Sequence, residues 1–200
     1  MKIEKNKILK ILLIPIIVFL INSCGQVIVG GATTAGLSIV QERSSKQAAI
    51  DIIIKTKIEE AMFSNSYEQL FSKVRVIVYE GRVLLVGTVE NQETRTEAEN
   101  IAWSTKNVKE VGNYVSIGKN DLVDYVKDTR ISLEFRAKLL TDKEVSEVNF
   151  SSTTENRILY IVGIAQNKEE IKKVLDHASN IAGVKKIINL VKEKNDPERK

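Results

Sequence analysis

Few side chains in this 200-residue chain are of a type that does chemistry, and their spacing limits what they can do. His177 is the one histidine. Nucleophilic or metal work would need partners at matching spacing, and the sequence offers none. Glu169-Glu170 and Glu97/Glu99 are carboxylate pairs in form only, because residues one or two apart on a helix do not face each other. No glycine-rich loop leads from a strand into a helix with the spacing that cradles phosphate. The expectation is no catalytic residue, no metal site and no cofactor. One thiol remains, Cys24, and a lone cysteine makes no disulfide within a monomer. Its place is telling. An apolar run over residues 11–21 precedes it, and before that stand ten residues with four lysines and one glutamate. A basic start, an apolar run and a small-residue cleavage site make a secretory signal peptide.

Leu20-Ile21-Asn22-Ser23-Cys24 resembles the lipobox of bacterial lipoproteins, with Ile21 and Ser23 in the −3 and −1 places. That resemblance implies diacylglyceryl and acyl (palmitate) modification at Cys24 and cleavage before it. The alternative is an ordinary signal anchor with a chance cysteine. A spanning helix needs about 20 apolar residues, and this run is shorter and broken by Pro15. Gly25 follows the cysteine, with no aspartate there. By resemblance to lipoprotein sorting in Gram-negative bacteria, this implies a lipid-anchored, periplasm-facing place at the outer membrane.

Removing the first 23 residues leaves 177 and takes away a net charge of +3, so the formal +4 falls to +1. The pI near 9.0 belongs mostly to the leader and argues for no nucleic-acid partner. Residues 24–43 begin GQVIVGGATTAG after the cysteine and read as a tether, although Val27-Ile28-Val29 could dip into the membrane interface instead.

The elements that follow are plain. Ile50, Ile54, Ile58 and Met62 mark one helical stripe over residues 44–63. Val74, Val76 and Val78 alternate as a strand, Glu80-Gly81 turns, and residues 82–89 return. A helix over 91–104 and a strand over 108–117 complete the unit. The same order then repeats. An offset of 76 pairs Gly87 with Gly163, Asn91 with Asn167, Ala102 with Ala178 and Asn113 with Asn189. Upstream an offset of 77 pairs Ile54 with Ile131, Ile58 with Phe135 and Met62 with Leu139. The one-residue change is expected in the hairpin turn, where a repeat absorbs it easily. Ser151 to Thr154 read as a strand end running into that turn.

Each copy resembles a BON domain. The marks are a strand ending Val86-Gly87 or Val162-Gly163, an alanine-bearing helix, and the closes Val108-Lys109-Glu110-Val111-Gly112-Asn113 and Val184-Lys185-Lys186-Ile187-Ile188-Asn189. The whole is similar to the dual-BON outer-membrane lipoproteins associated with division and envelope stress. Asn107 departs from the glycine that Gly183 supplies in copy two, and asparagine tolerates the left-handed backbone that turn requires. The resemblance implies an α+β fold of two tandem α-β-β-α-β units, each a three-stranded sheet with two helices on one face. Domains are expected at 44–119 and 120–194, with a tail at 195–200. It also implies contact with phospholipid, support of envelope integrity and no catalysis.

Comparing the copies locates a candidate surface. In the first helix of copy two, the face opposite the core stripe carries Leu133, Ala137 and Leu140, flanked by Arg130 and Arg136. Copy one has Thr56, Glu60 and Phe63 there, flanked by Ile53 and Glu59. An apolar strip beyond the core's needs marks a contact surface, and arginines beside it suit an anionic headgroup zone. Asp124 and Asp128 would repel such lipid, which points to the middle and end of the helix. Three occupants stay open: anionic phospholipid bound by copy two, the first domain, or an envelope protein. The last would make the chain a lipid-tethered periplasmic scaffold for an envelope enzyme or assembly machine.

Overall fold

The computed structural model describes residues 42–119 and 122–199, within a compact unit running from Ile39 to Lys200. The leader, Cys24 and the tether up to residue 41 lie outside the described residues.

The first repeat runs α1 (Ser45–Asn65), a π-helical turn (Tyr67–Phe71), β1 (Val74–Tyr79), β2 (Arg82–Val89), α2 (Gln92–Ser104) and β3 (Glu110–Ile117). The second runs α3 (Leu122–Thr141), a 3-10 turn (Glu147–Asn149), β4 (Phe150–Glu155), β5 (Ile158–Ala165), α4 (Lys168–Ser179) and β6 (Lys186–Glu193). Each sheet has its hairpin antiparallel and its last strand added parallel to the central one, in the orders β1-β2-β3 and β4-β5-β6. A side-chain oxygen caps three of the helices: Ser44 on α1, Asn91 on α2 and Asn167 on α4. Such caps satisfy backbone donors that have no partner within the helix.

The one-residue change does not sit in the hairpins. Both are two-residue turns with positive φ at both central residues, Glu80 (53°) and Gly81 (77°), then Asn156 (53°) and Arg157 (63°). This is the hand that matches strand twist. The 76 offset therefore holds from β1 onward, and the extra residue of copy one lies between helix and strand. There Phe71 N–H donates to Ser66 O and Ser72 N–H to Tyr67 O, both five residues back. A π-turn takes up one more residue than an α-turn. Ser151 to Thr154 form the body of β4 rather than its end.

Asp128 is likewise not a helix-end charge. It is buried on α3, and its two carboxylate oxygens accept from Asn156 N–H and Arg157 N–H, each at 2.8 Å. Asp51 does the same on α1, accepting from Glu80 N–H (2.7 Å) and Gly81 N–H (2.9 Å). Each copy thus ties its first helix to its hairpin turn through one buried aspartate. Asn107 holds φ 70° where Gly183 holds 96°.

Helices cover one face of each sheet, with Ile54, Ile58 and Met62 over the first and Ile131, Phe135 and Leu139 over the second. The other faces pack on each other. Leu84, Val86 and Tyr79 of the first sheet meet Tyr160, Val162 and Ile164 of the second. The Tyr114 and Tyr160 rings lie edge to face at 5.3 Å. Burial pushes the Tyr79 hydroxyl up to about 12 and raises that of Tyr160. The result is four layers, helix-sheet-sheet-helix, which explains why β2 and β5 are apolar on both faces. The packing is pseudo-twofold: Tyr79 clusters with Ile164, and their repeat counterparts Glu155 and Thr88 are bonded at 2.6 Å. Arg75 closes this polar corner by donating to Glu155 and to Thr154 O.

Candidate functional site

The candidate strip lies on α3. Its inner face is fixed by Asp128, Ile131, Phe135 and Leu139, all buried. Whatever projects on the far side is turned away from both sheets. Leu133 is 64% exposed and Leu140 62%, and Ala137 is exposed as well. The first domain does not cover them, because the sheet backs supply the inter-domain contact. Domain packing through this strip is therefore corrected to packing through the sheets.

The strip is longer than the sequence comparison gives it. Leu122, Tyr125 and Val126 are also exposed, Leu122 at 76%. At 100° per residue, Leu122, Val126, Leu133 and Leu140 fall within about 40° of one another. A helix of 20 residues spans about 30 Å, so the apolar line runs its full length. The signal was present in the spacing of four leucine and valine positions. Treating Asp128 as a surface charge hid it, since its carboxylate is buried in the hairpin turn.

Both flanking arginines have partners. Arg130 donates to Ala182 O and to Glu134 at 3.5 Å, and Arg136 donates to Glu147 at 2.8 Å. Their side chains remain 56% and 67% exposed. Exposed pairs of this kind contribute about 0–1 kcal/mol, so an anion arriving from solvent competes with them at small cost.

Elsewhere the chemistry is sparse. His177 Nε2 lies 2.7 Å from Asp142 Oδ2 in a half-buried pair. Trp103 is exposed on α2. Among the described residues, no group of three or more His, Cys, Asp or Glu side chains could hold a metal ion. No helix among them is long and apolar enough to cross a membrane. One further surface stands out in the first domain. Phe63, Tyr67 and Phe71 are exposed yet touch one another, with ring centroids 5.4–5.8 Å apart. The π-helical turn, absent from copy two, brings them together.

Comparison with known proteins matches this architecture. The BON domain family matches residues 50–119 and 127–195. The chain is 34% identical over 152 residues to the protein in the gshII 5′ region of Anaplasma centrale, covering 75% of this chain and 99% of that one. It is 26% identical over 173 residues to the outer membrane lipoprotein DolP of Haemophilus influenzae, covering 86% and 89%. A 21 kDa hemolysin of Actinobacillus pleuropneumoniae is 24% identical over 153 residues, covering 76% and 78%. The likeness to an outer membrane lipoprotein agrees with the lipobox at Cys24, and sets the chain at the outer membrane of a Gram-negative bacterium as a lipid-anchored protein. With the family matched over both repeats, the chain belongs to the BON domain family and carries that domain twice.

Proposed function

We propose that the protein is a non-enzymatic lipoprotein that lays α3 of its second BON domain against anionic phospholipid and so supports the envelope. The observation that carries this reading is the full-length apolar line on α3, exposed although the sheets already provide the inter-domain contact. Fully burying a Leu or Val side chain contributes about 1.5–3 kcal/mol. Partial insertion of Leu122, Val126, Leu133 and Leu140 would therefore supply several kcal/mol, added to an anchor that already holds the chain at the surface. Arg130 and Arg136 would each add about 1 kcal/mol against an anionic leaflet.

The test is co-sedimentation of residues 39–200 with anionic and with neutral vesicles, for wild type and for Leu133→Glu with Leu140→Glu. Both positions are exposed, so the fold persists by circular dichroism. Binding to anionic vesicles that the double variant loses is the expected result. A wild-type protein that fails to bind any vesicle would refute lipid contact by this helix.

A second reading, an interaction scaffold for an envelope protein, draws on the exposed Phe63, Tyr67 and Phe71 cluster. Exposed aromatics in mutual contact resemble interface anchors. Capture of a defined envelope protein that Phe63→Ser with Phe71→Ser abolishes, without vesicle binding by the wild type, would favour it.

A further inference from the structure

Each repeat carries an asparagine in its closing strand, Asn113 in β3 and Asn189 in β6. Each makes the same local bond. Asn113 Oδ1 accepts from Val115 N–H at 3.1 Å, and Asn189 Oδ1 accepts from Val191 N–H at 3.0 Å. Both strands are the last of their sheets. An N–H that donates to a side chain of its own strand is directed away from the neighbouring strand, so both lie on a free edge. Residues two apart in a strand share that direction. The backbone groups of Ile187, Asn189 and Val191 therefore line the outer edge of β6.

The two edges are not equivalent. On β3 the helix reaches across. Asn113 Nδ2 donates to Arg95 O (3.2 Å) and to Glu99 (3.0 Å), and Arg95 donates back to Asn113 O (3.5 Å). The 76 offset puts Ile171 and Leu175 in the places of Arg95 and Glu99. Both are half-buried against the second core, and neither side chain can hydrogen-bond. Asn189 is exposed, and among the described residues its side chain bonds Val191 N–H alone. The β6 edge is thus held by one local bond, with apolar side chains beside it. Such a row of strand groups is a template for another strand.

The sequence of β6 says which strand. Lys186-Ile187-Ile188-Asn189-Leu190-Val191-Lys192 reads alike in both directions by residue class. Laid antiparallel on itself about Asn189, it sets Ile187 against Val191 and Ile188 against Leu190. Sliding the partner two residues one way sets Ile188 against Lys192 and Ile187 against Glu193. Sliding it the other way sets Lys186 against Leu190 and Lys185 against Val191. A one-residue slip would swap the faces. The centred register costs Lys186 opposite Lys192, with Lys185 opposite Glu193 compensating just outside. Self-complementarity of this kind makes a twofold interface between like chains.

We propose that β6 pairs antiparallel with β6 of a second copy, centred on Asn189, and joins two three-stranded sheets into one continuous sheet. Asn189 then releases Val191 N–H, which donates to Ile187 O of the other copy, and meets its own mate across the axis. Residues paired across an antiparallel ladder point to the same face. Ile187 and Val191 stay on the helix-covered side, and Ile188 and Leu190 stay between the sheets. Both α3 helices therefore lie on one side of the joined sheet. The pairing itself does not depend on what α3 meets.

The test is disulfide trapping of the full chain on membranes, with the wild type, whose one cysteine is Cys24, as the blank. In the centred register the two residue-189 Cα atoms stand about 5.5 Å apart, within the span of a disulfide. Asn189→Cys should therefore trap a dimer under mild oxidation. Chains with Lys186→Cys mixed with chains with Lys192→Cys should give a mixed dimer, and neither should trap alone. Val191→Pro removes an N–H that no neighbouring strand of its own chain uses, a position where an edge strand tolerates proline. Added to both cysteine chains, it should cut the mixed dimer about tenfold by leaving the edge without its donor. Asn189→Lys, at an exposed position, should give the same loss by setting like charges across the axis, and it keeps the test valid if proline perturbs the strand. No mixed dimer, trapping by Lys186→Cys alone, or a mixed dimer that Asn189→Lys leaves intact would each overturn the pairing. Trapping should be unchanged in Leu133→Glu with Leu140→Glu, which separates this interface from lipid contact by α3.

Discussion

Changing Tyr160 to alanine should unfold the first domain's probe as well as the second domain's. Tyr160 belongs to β5 of the second repeat, but its ring points away from its own helices into the layer between the sheets. There it meets Leu84, Val86 and Tyr114 and is 4% exposed. Truncating a buried aromatic costs about 3–5 kcal/mol, and losing its edge-to-face partner is part of that cost. With a urea dependence of about 2 kcal/mol/M, a loss of about 4 kcal/mol lowers the midpoint by about 2 M. The assay is urea unfolding of residues 39–200 followed by Trp103 fluorescence. Trp103 is the one tryptophan and sits on α2 of the first repeat. Far-UV circular dichroism reports the whole unit. Both signals should move together by about 2 M. Phe135→Ala, in the second domain's own core, should move Trp103 as well. A Trp103 transition that stays at the wild-type midpoint, while circular dichroism shows an early partial loss, would refute the shared layer as the source of stability.

Three further outcomes follow from particular contacts. Asp51→Ala and Asp128→Ala each strip a charged acceptor from two hairpin N–H groups. Each should cost about 3 kcal/mol by chemical denaturation, with asparagine recovering part of it. Gly87→Ala would put a Cβ 2.0 Å from Lys73 O, and Gly163→Ala one 2.3 Å from Asn149 O. Both should cost about 3 kcal/mol or more, because the clash is with backbone, and normal thermal stability in either would contradict the strand spacing. The buried Tyr79 hydroxyl, held up to about 12 mainly by desolvation, makes stability fall at high pH. A phenol ionises near 10 when unfolded, so its contribution is complete below 10 and is lost as pH rises through 12. The difference is about 3 kcal/mol. Tyr79→Phe should flatten the alkaline limb of a stability-against-pH curve measured by urea melts from pH 8 to 12, and an unchanged limb would exclude Tyr79 as its cause.

The repeat itself was legible because apolar spacing survives duplication. Ile54, Ile58 and Met62 against Ile131, Phe135 and Leu139 give the helices, and Gly87 against Gly163 marks where a strand must approach the preceding carbonyl. The hairpin offset was misplaced because Glu80-Gly81 and Asn156-Arg157 share a conformation without sharing a residue type. The left-handed backbone of Glu80, Asn156 and Arg157 is imposed by strand twist and by the aspartate beneath, and neither shows in a pairwise comparison. The back-to-back sheets left a sign that periodicity alone does not resolve. Residues 83–87 and 158–165 are apolar at successive positions, as a strand buried on both faces must be. The contacts of the segment before α1 were invisible, since Glu42, Asn149 and Lys194 meet only once both repeats are folded. Of the candidate strip, Leu133, Ala137 and Leu140 were found by comparing copies, whereas Leu122, Tyr125 and Val126 were hidden by the two aspartates beside them.

The four-layer order also decides how the duplicated chain can address a surface. Each helical layer covers the outer face of its own sheet, so the outer faces of α1 and α3 point in opposite directions. A flat surface can take one of them. On α1 the outer face carries the pairs Lys55–Glu59 and Lys57–Glu60, whose desolvation would oppose insertion. On α3 it carries the apolar line. On the side of the chain that leads to Cys24, the first described residue is Glu42, which is held by Asn149 and Lys194 of the second repeat. Seventeen residues lie between Cys24 and Glu42, a reach of at most about 60 Å. In the reading proposed above, Glu42 and the strip therefore belong to the same half of the molecule. The first domain then holds the sheet behind α3 rigid. Duplication without this asymmetry would place two weak surfaces back to back, where they could never act on one membrane together.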